Sequence, residues 1–145
     1  MSAIKRVEDY MTKEVVFANL TDALQLAATK MAERDIGSIV IVQEGKPIGI
    51  VTERDFVRRV AALGKDSRTL TVADIMSTPL VTVGPECDIN SAAKIMTDNN
   101  IKRLPVVEGE RLVGIITSFD IAKVMAEEAH PLLQTPRLWF LFKTA

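Results

Sequence analysis

The chain of 145 residues holds one cysteine, Cys87, and one histidine, His130. A lone thiol excludes a disulfide framework or a cysteine zinc cluster within one chain. One thiol and one imidazole more than forty positions apart give little support for a metal site or a catalytic thiol. Aromatic residues are scarce at 5%, and neither sign of charge prevails: the formal net charge is -1 and the pI is near 5.9. Such a balance supplies no long-range pull on nucleic acid or on an anionic membrane, so an anion site must come from local placement of a few cations. No run approaches the ~18 apolar residues that would span a bilayer. The opening MSAIKRVEDYM lacks the apolar stretch of a secretory signal, so a reducing cytoplasm is the expected location.

What the chain does have is repetition. Shifted by 65 residues, it aligns with itself without a gap from Val7 to Ala61. Asp9-Tyr10-Met11 meets Asp74-Ile75-Met76, Ala27-Ala28 meets Ala92-Ala93, and Met31 meets Met96. "GIVTERDF", Gly49 to Phe56, returns as "GIITSFDI", Gly114 to Ile121. A constant offset over that span implies two copies of one structural unit. Copy one is taken as residues 1–64, a linker as 65–69, copy two as 70–129 and a hydrophobic tail as 130–145.

Each copy gives the same reading. A short amphipathic turn (Val7 to Met11; Val72 to Met76) leads to a short strand, Val15 to Ala18 or Leu80 to Val83. Leu24, Ala27, Ala28 and Met31, and their counterparts Ile89, Ala92, Ala93 and Met96, recur at helical spacing. Thr21 and Asp88 stand where helix caps belong. The runs Ser38 to Val42 and Leu104 to Val107 then turn through Glu44-Gly45-Lys46-Pro47 and Glu108-Gly109-Glu110-Arg111 into a second strand, a hairpin signal. Second helices follow over 53–63 and 118–128. A unit of roughly 60 residues buries only a marginal core, and its strands are apolar on both faces. The expected fold is therefore α/β (α+β): two pseudo-symmetric β-α-β-β-α units packed sheet to sheet, with a cleft between the copies and its symmetry mate.

The repeated Thr-x-x-Asp has two readings that do not exclude each other. Thr52 and Asp55, or Thr117 and Asp120, form a capping box. A carboxylate in the first turn of a helix can also accept from both hydroxyls of a ribose, beside backbone N–H groups that favour an anion. Gly49 and Gly114 lie inside strands, where glycine marks close approach of another backbone or of a ligand.

"DYMTKEVV", "DIMSTPLVTV", "IKRLPVV", "GIVTERD" and "GIITSFD" together resemble the cystathionine-β-synthase (CBS) domain pair, or Bateman module, over about residues 4–128. The resemblance implies two clefts for adenosine-containing ligands such as AMP, ADP, ATP or S-adenosylmethionine. It implies that Asp55 with Thr52, and Asp120 with Thr117, hold the ribose or phosphate. It places the base among Val16, Phe17, Ile36, Ile39, Val81, Val83, Ile101, Leu104 and Pro105, all of which also suit plain core packing. The copies differ in cations: copy two has Lys102-Arg103 at the position where copy one has Gly37-Ser38, and copy one has Arg54 at the position where copy two has Phe119. Arg54, Lys102 and Arg103 are thus expected to converge on one phosphate-rich cleft, the other being weaker, less charged in its ligand, or empty. The second helix of copy one, with Arg58-Arg59 beside the apolar Phe56, Val57, Val60, Ala61 and Leu63, is placed by the resemblance on a homodimer face.

The function expected is a non-catalytic sensor that binds an adenine nucleotide as a regulatory ligand, with no obligatory cofactor or metal, and reports to an unknown protein partner. The alternatives are an interaction module that binds no nucleotide, and a nucleic-acid binder, which the near-neutral charge disfavours. The tail "HPLLQTPRLWFLFKTA" is expected to dock on its own module, a dimer mate or a partner, since an exposed run of this kind would be sticky.

Overall fold

The repeat dictates two hairpins, and a computed structural model, which describes residues 3–129, contains both. In copy one β1 (Phe17–Asn19) runs parallel to β2 (Ser38–Gln43), which pairs antiparallel with β3 (Lys46–Thr52). Helix α1 (Leu24–Arg34) connects β1 to β2. Helix α2 (Glu53–Asp55) opens directly from β3 and widens into a π-helical segment, Phe56–Ala61. Copy two gives α3 (Val72–Ile75), α4 (Ile89–Asn99), β4 (Arg103–Glu108), β5 (Arg111–Thr117) and α5 (Ser118–Ala129). Both hairpins carry a bulge at the same place, Ile41/Val42 and Val106/Val107, and β3 approaches β5 across the molecule. The tail expectation falls on residues outside those described.

Three expectations differ from what is observed. Leu80 to Val83 forms no strand; only Val83 bridges Val106. In copy one the Val40 N–H donates to the Val16 carbonyl at 3.4 Å, and the residue at the Val40 position of copy two is Pro105, which has no N–H to donate. The cap of α1 is Ala23 rather than Thr21, and it makes no side-chain cap bond; the Leu24 N–H donates to the Leu70 carbonyl instead. The second helix of copy one is π-helical over most of its length, whereas its counterpart α5 is α-helical throughout. Asp88 does cap α4, accepting from the Ser91 N–H at 2.9 Å and the Ser91 hydroxyl at 2.8 Å. Those two bonds hold its carboxyl below the ordinary aspartate range.

The hydrophobic cores are crossed. Leu24, Ala27, Met31, Ile39, Ile41 and Val51 of copy one pack with Val72 and Ile75 from the start of copy two. Ile89, Ala92, Met96, Leu104, Val106 and Ile116 of copy two pack with Val7 from the start of copy one, flanked by Tyr10 and Met11. The helix starts cross likewise: Leu70 caps α1, and the Lys5 carbonyl accepts from the Ile89 N–H at 3.0 Å.

This crossing explains the strand glycines. A Cβ on Gly49 would meet the Met76 sulfur at 2.9 Å and the Ser77 carbonyl at 3.1 Å. A Cβ on Gly114 would run into Met11 and would meet the Thr12 carbonyl at 3.1 Å. The close approach is that of the other copy's opening segment. In each Asp-x-Met, the Asp accepts from a backbone N–H three residues back (Arg6 to Asp9, 3.3 Å; Thr71 to Asp74, 2.7 Å) and the Met covers the glycine.

Candidate functional site: a cation-lined cleft between the copies

The strand-to-helix turn at Thr52 is a capping box. The Thr52 N–H donates to Asp55 Oδ2 at 2.8 Å, the Thr52 hydroxyl to the same oxygen at 3.2 Å, and the Asp55 N–H returns to Thr52 Oγ1 at 3.4 Å. Asp55 is 6% exposed, and among the described residues it is the one buried charged side chain. Its second oxygen turns toward the opening segment of copy two. Oδ1 accepts from the Ser77 hydroxyl at 3.2 Å and lies 3.6 Å from Arg59 Nε. Arg59 Nη1 in turn donates to the carbonyls of Ile75 (3.0 Å) and Met76 (3.1 Å), at the end of α3.

Asp55 forms one wall of a cleft of about 500 Å³. Copy one contributes Ile50, Thr52, Arg54, Asp55, Arg58 and Arg59, and copy two contributes Ser77, Pro79, Leu80, Val81, Asn99, Asn100, Ile101, Lys102, Arg103 and Pro105. Five cations therefore face one carboxylate in a chain whose net charge is -1. Local placement has built the positive field that bulk composition did not supply. Arg103 also reaches over copy one: its guanidinium occupies the space a Cβ on residue 37 would need, with the Glu53 carboxyl carbon 3.4 Å from that point. A side chain at Gly37 would have to displace it.

The counterpart in copy two is simpler. The Thr117 N–H donates to Asp120 Oδ2 at 2.9 Å, and the Asp120 N–H to Thr117 Oγ1 at 3.2 Å. Oδ1 of Asp120 has no hydrogen bond among the described residues. At the positions equivalent to Arg54, Arg59 and Ser77 stand Phe119, Val124 and Thr12, of which Val124 is buried in the core.

A family model for the CBS domain matches the chain twice, over residues 7–62 and 72–127. The chain belongs to the CBS domain family. This CBS pair is 42% identical over 120 residues to an uncharacterized protein of Methanopyrus kandleri, covering 81% of this chain but only 61% of that one. It is 36% identical to the CBS domain-containing protein YhcV of Bacillus subtilis, over 80% of this chain and 82% of that one. Among solved structures it resembles a hexameric CBS-CP12 protein from bloom-forming cyanobacteria, with TM-score 0.81, 32% identity and coverage of 90% and 78%. It also resembles the CBS domain pair of protein MJ0100 in complex with 5′-methylthioadenosine and S-adenosylmethionine, with TM-score 0.77, 30% identity and coverage of 87% and 99%.

Of the residues singled out from the sequence, the fold of this CBS pair brings Thr52, Arg54, Asp55, Val81, Ile101, Lys102, Arg103 and Pro105 into one cleft. Thr117 and Asp120 sit at the equivalent turn, apart from that cluster of cations. Val16 and Phe17 line a separate groove with Leu26 and Thr29, and Ile36 lines a shallow hollow with Met31 and Phe56. Ile39 and Leu104 are fully buried and Val83 nearly so; all three are packing residues of the two cores. Residues not singled out for the site also line it: Arg58, Arg59, Ser77, Asn99 and Asn100. The signal for the arginines was in helical spacing, since Arg58 follows Arg54, and Arg59 follows Asp55, by one turn. The expectation of a dimer face concerned the apolar side of that helix and did not extend to the cleft. Cys87 lies outside the cleft against the core of copy two, where burial, with help from Asp88 and Glu86, pushes its thiol up. That is the reverse of an activated nucleophile.

Proposed function

We propose that this CBS pair is a non-catalytic regulatory module whose first cleft takes an adenine nucleotide by its ribose and phosphates. The observation that carries the reading is the ring of Arg54, Arg58, Arg59, Lys102 and Arg103 around Thr52 and Asp55. Guanidinium groups grip phosphate oxygens in bidentate pairs, and a cleft of this volume suits a nucleotide. Ile50, Val81, Ile101 and Pro105 supply apolar surface for a base. The adenosine-containing ligands in the MJ0100 complex support the adenosyl class. The charge argues against S-adenosylmethionine in this cleft, because its sulfonium would enter a strongly positive field. The CBS pair assembles as a homodimer in the cytoplasm on this reading; the exposed Val57 and Phe119 on the second helices, with Leu63 in the turn after the first of them, support an apolar contact face.

Melting temperature, followed with AMP, ADP, ATP, adenosine and S-adenosylmethionine at two salt concentrations, tests the proposal. Nucleotides should stabilise, by ~2.7 kcal/mol at 100 times the dissociation constant. The gain should grow with phosphate number and shrink with added salt. If no nucleotide raises the melting point at millimolar concentration, the reading fails and an interaction module without nucleotide replaces it. The internal hydrogen bonds that already engage Asp55 favour that second reading.

A further inference from the structure

The two repeated carboxylates are alike in sequence and unlike in occupancy. A carboxylate offers about four acceptor positions. At Asp55 three are taken by hydrogen bonds, two from Thr52 and one from Ser77, and the fourth faces the Arg59 guanidinium at 3.6 Å. A ribose hydroxyl that would donate to this carboxylate finds no position vacant until one of these partners leaves. At Asp120 one position is taken by the Thr117 N–H, and Oδ1 has no hydrogen bond among the described residues. Val124 and Thr12 stand at the positions equivalent by the 65-residue repeat to Arg59 and Ser77.

Resting on the nucleotide reading above, we infer that Arg59 is a specificity-determining residue of the first cleft: it holds Asp55 closed to a neutral nucleoside and releases it to a ligand that carries phosphate. The Arg59 side chain is 49% exposed and lines the cleft, while the carboxylate it covers is 9% exposed, so an incoming ligand meets the guanidinium first. A nucleoside that displaced Arg59 would exchange a charged contact and two carbonyl hydrogen bonds for neutral hydroxyl contacts. A phosphate offers the guanidinium a new bidentate partner, so Arg59 leaves Asp55 for a contact of similar strength. The same movement withdraws its donors from the Ile75 and Met76 carbonyls, where copy two completes the core of copy one. Arg58 lines the same cleft, and no bond joins it to Asp55 among the described residues, which makes it the internal control.

The test is calorimetric titration of adenosine and of AMP into Arg59→Met, Arg58→Met and Ser77→Ala, each in an Asp120→Asn background that disables the second turn. Arg59→Met should bind adenosine about tenfold more tightly than its background and AMP more weakly. Arg58→Met should weaken AMP and leave adenosine unchanged. Ser77→Ala vacates one position on Oδ1 without removing a cation, so it should tighten adenosine without weakening AMP; Arg59→Gln, which keeps a donor for the α3 carbonyls, decides the matter if Arg59→Met fails to fold. Adenosine affinity that is unchanged or weaker in a folded Arg59 variant, with AMP still bound by the background protein, overturns the inference and leaves the nucleotide reading standing. Binding of neither ligand to any of these proteins or to the wild type overturns both.

Discussion

Replacing Gly49 by alanine tests the contact that joins the two copies. Gly49 is not among the residues with positive φ, so alanine meets no backbone strain there. Taken alone, the lower chain entropy of unfolded alanine would stabilise the strand by about 0.5–1 kcal/mol. Against this, the new methyl would lie 2.9 Å from the Met76 sulfur, 3.3 Å from Met76 Cγ and 3.1 Å from the Ser77 carbonyl oxygen. The sulfur can rotate away, at the cost of packing. The carbonyl is held, because Ser77 exchanges two backbone bonds with Ile50, at 2.8 and 3.3 Å. Overpacking of this kind costs about 1–3 kcal/mol, and a contact with a held carbonyl falls in the upper part of that range, so a net loss of about 1–2 kcal/mol remains. For a chain of this size that lowers the melting temperature by about 3–8 °C. Thermal and urea unfolding of Gly49→Ala, Met76→Ala and the double variant form the assay. The double variant should lose less than the sum of the singles, because shortening Met76 removes the nearest obstruction. A Gly49→Ala protein that melts at or above the parent temperature would refute the reasoning, for the segment would then yield freely.

Two other expectations follow from the same structure. Val7→Ala removes two buried methyl groups from the core of copy two, although Val7 belongs by sequence to copy one; it should cost about 2 kcal/mol and keep a single unfolding transition. Two separate transitions would show that the cores melt independently. Asp88→Asn should flatten the acid limb of the stability curve: the Asp88 carboxyl is held below its usual value by Ser91, so its contribution is present above pH ~4 and lost as pH falls through the lowered folded value. Asparagine also caps well, so stability at neutral pH should change little, and a plot of melting temperature against pH checks both points.

The hairpins, the caps at Thr52, Thr117 and Asp88 and the pairing of unlike copies were legible because each rests on local chemistry: a β-branched run, a turn with glycine, a side-chain oxygen one turn before an N–H. That Arg54 of copy one meets Lys102 and Arg103 of copy two in one cleft was legible because each stands where the other copy has no cation. The loss of a strand at Leu80 to Val83 was written in Pro105, but only its pairing partner gives that proline meaning. Arg59 was hidden for a different reason. Its apolar neighbours mark a helix face, yet whether a guanidinium on that helix turns outward or back toward Asp55 depends on where copy two's Ile75 and Met76 carbonyls lie. The glycines announced a close approach without naming what approached, because the opposing segment belongs to the other copy: Met76 for Gly49 and Met11 for Gly114.

The crossed cores bear on how such a molecule can be divided. Cutting the chain at its linker would give two fragments, each carrying a lead segment shaped for the other and missing the one it needs. Mixed together, the fragments could regain the parent arrangement only by trading those leads. A single fragment kept alone would have to trade with its own twin, so domain exchange is the route by which half of this protein could stand by itself.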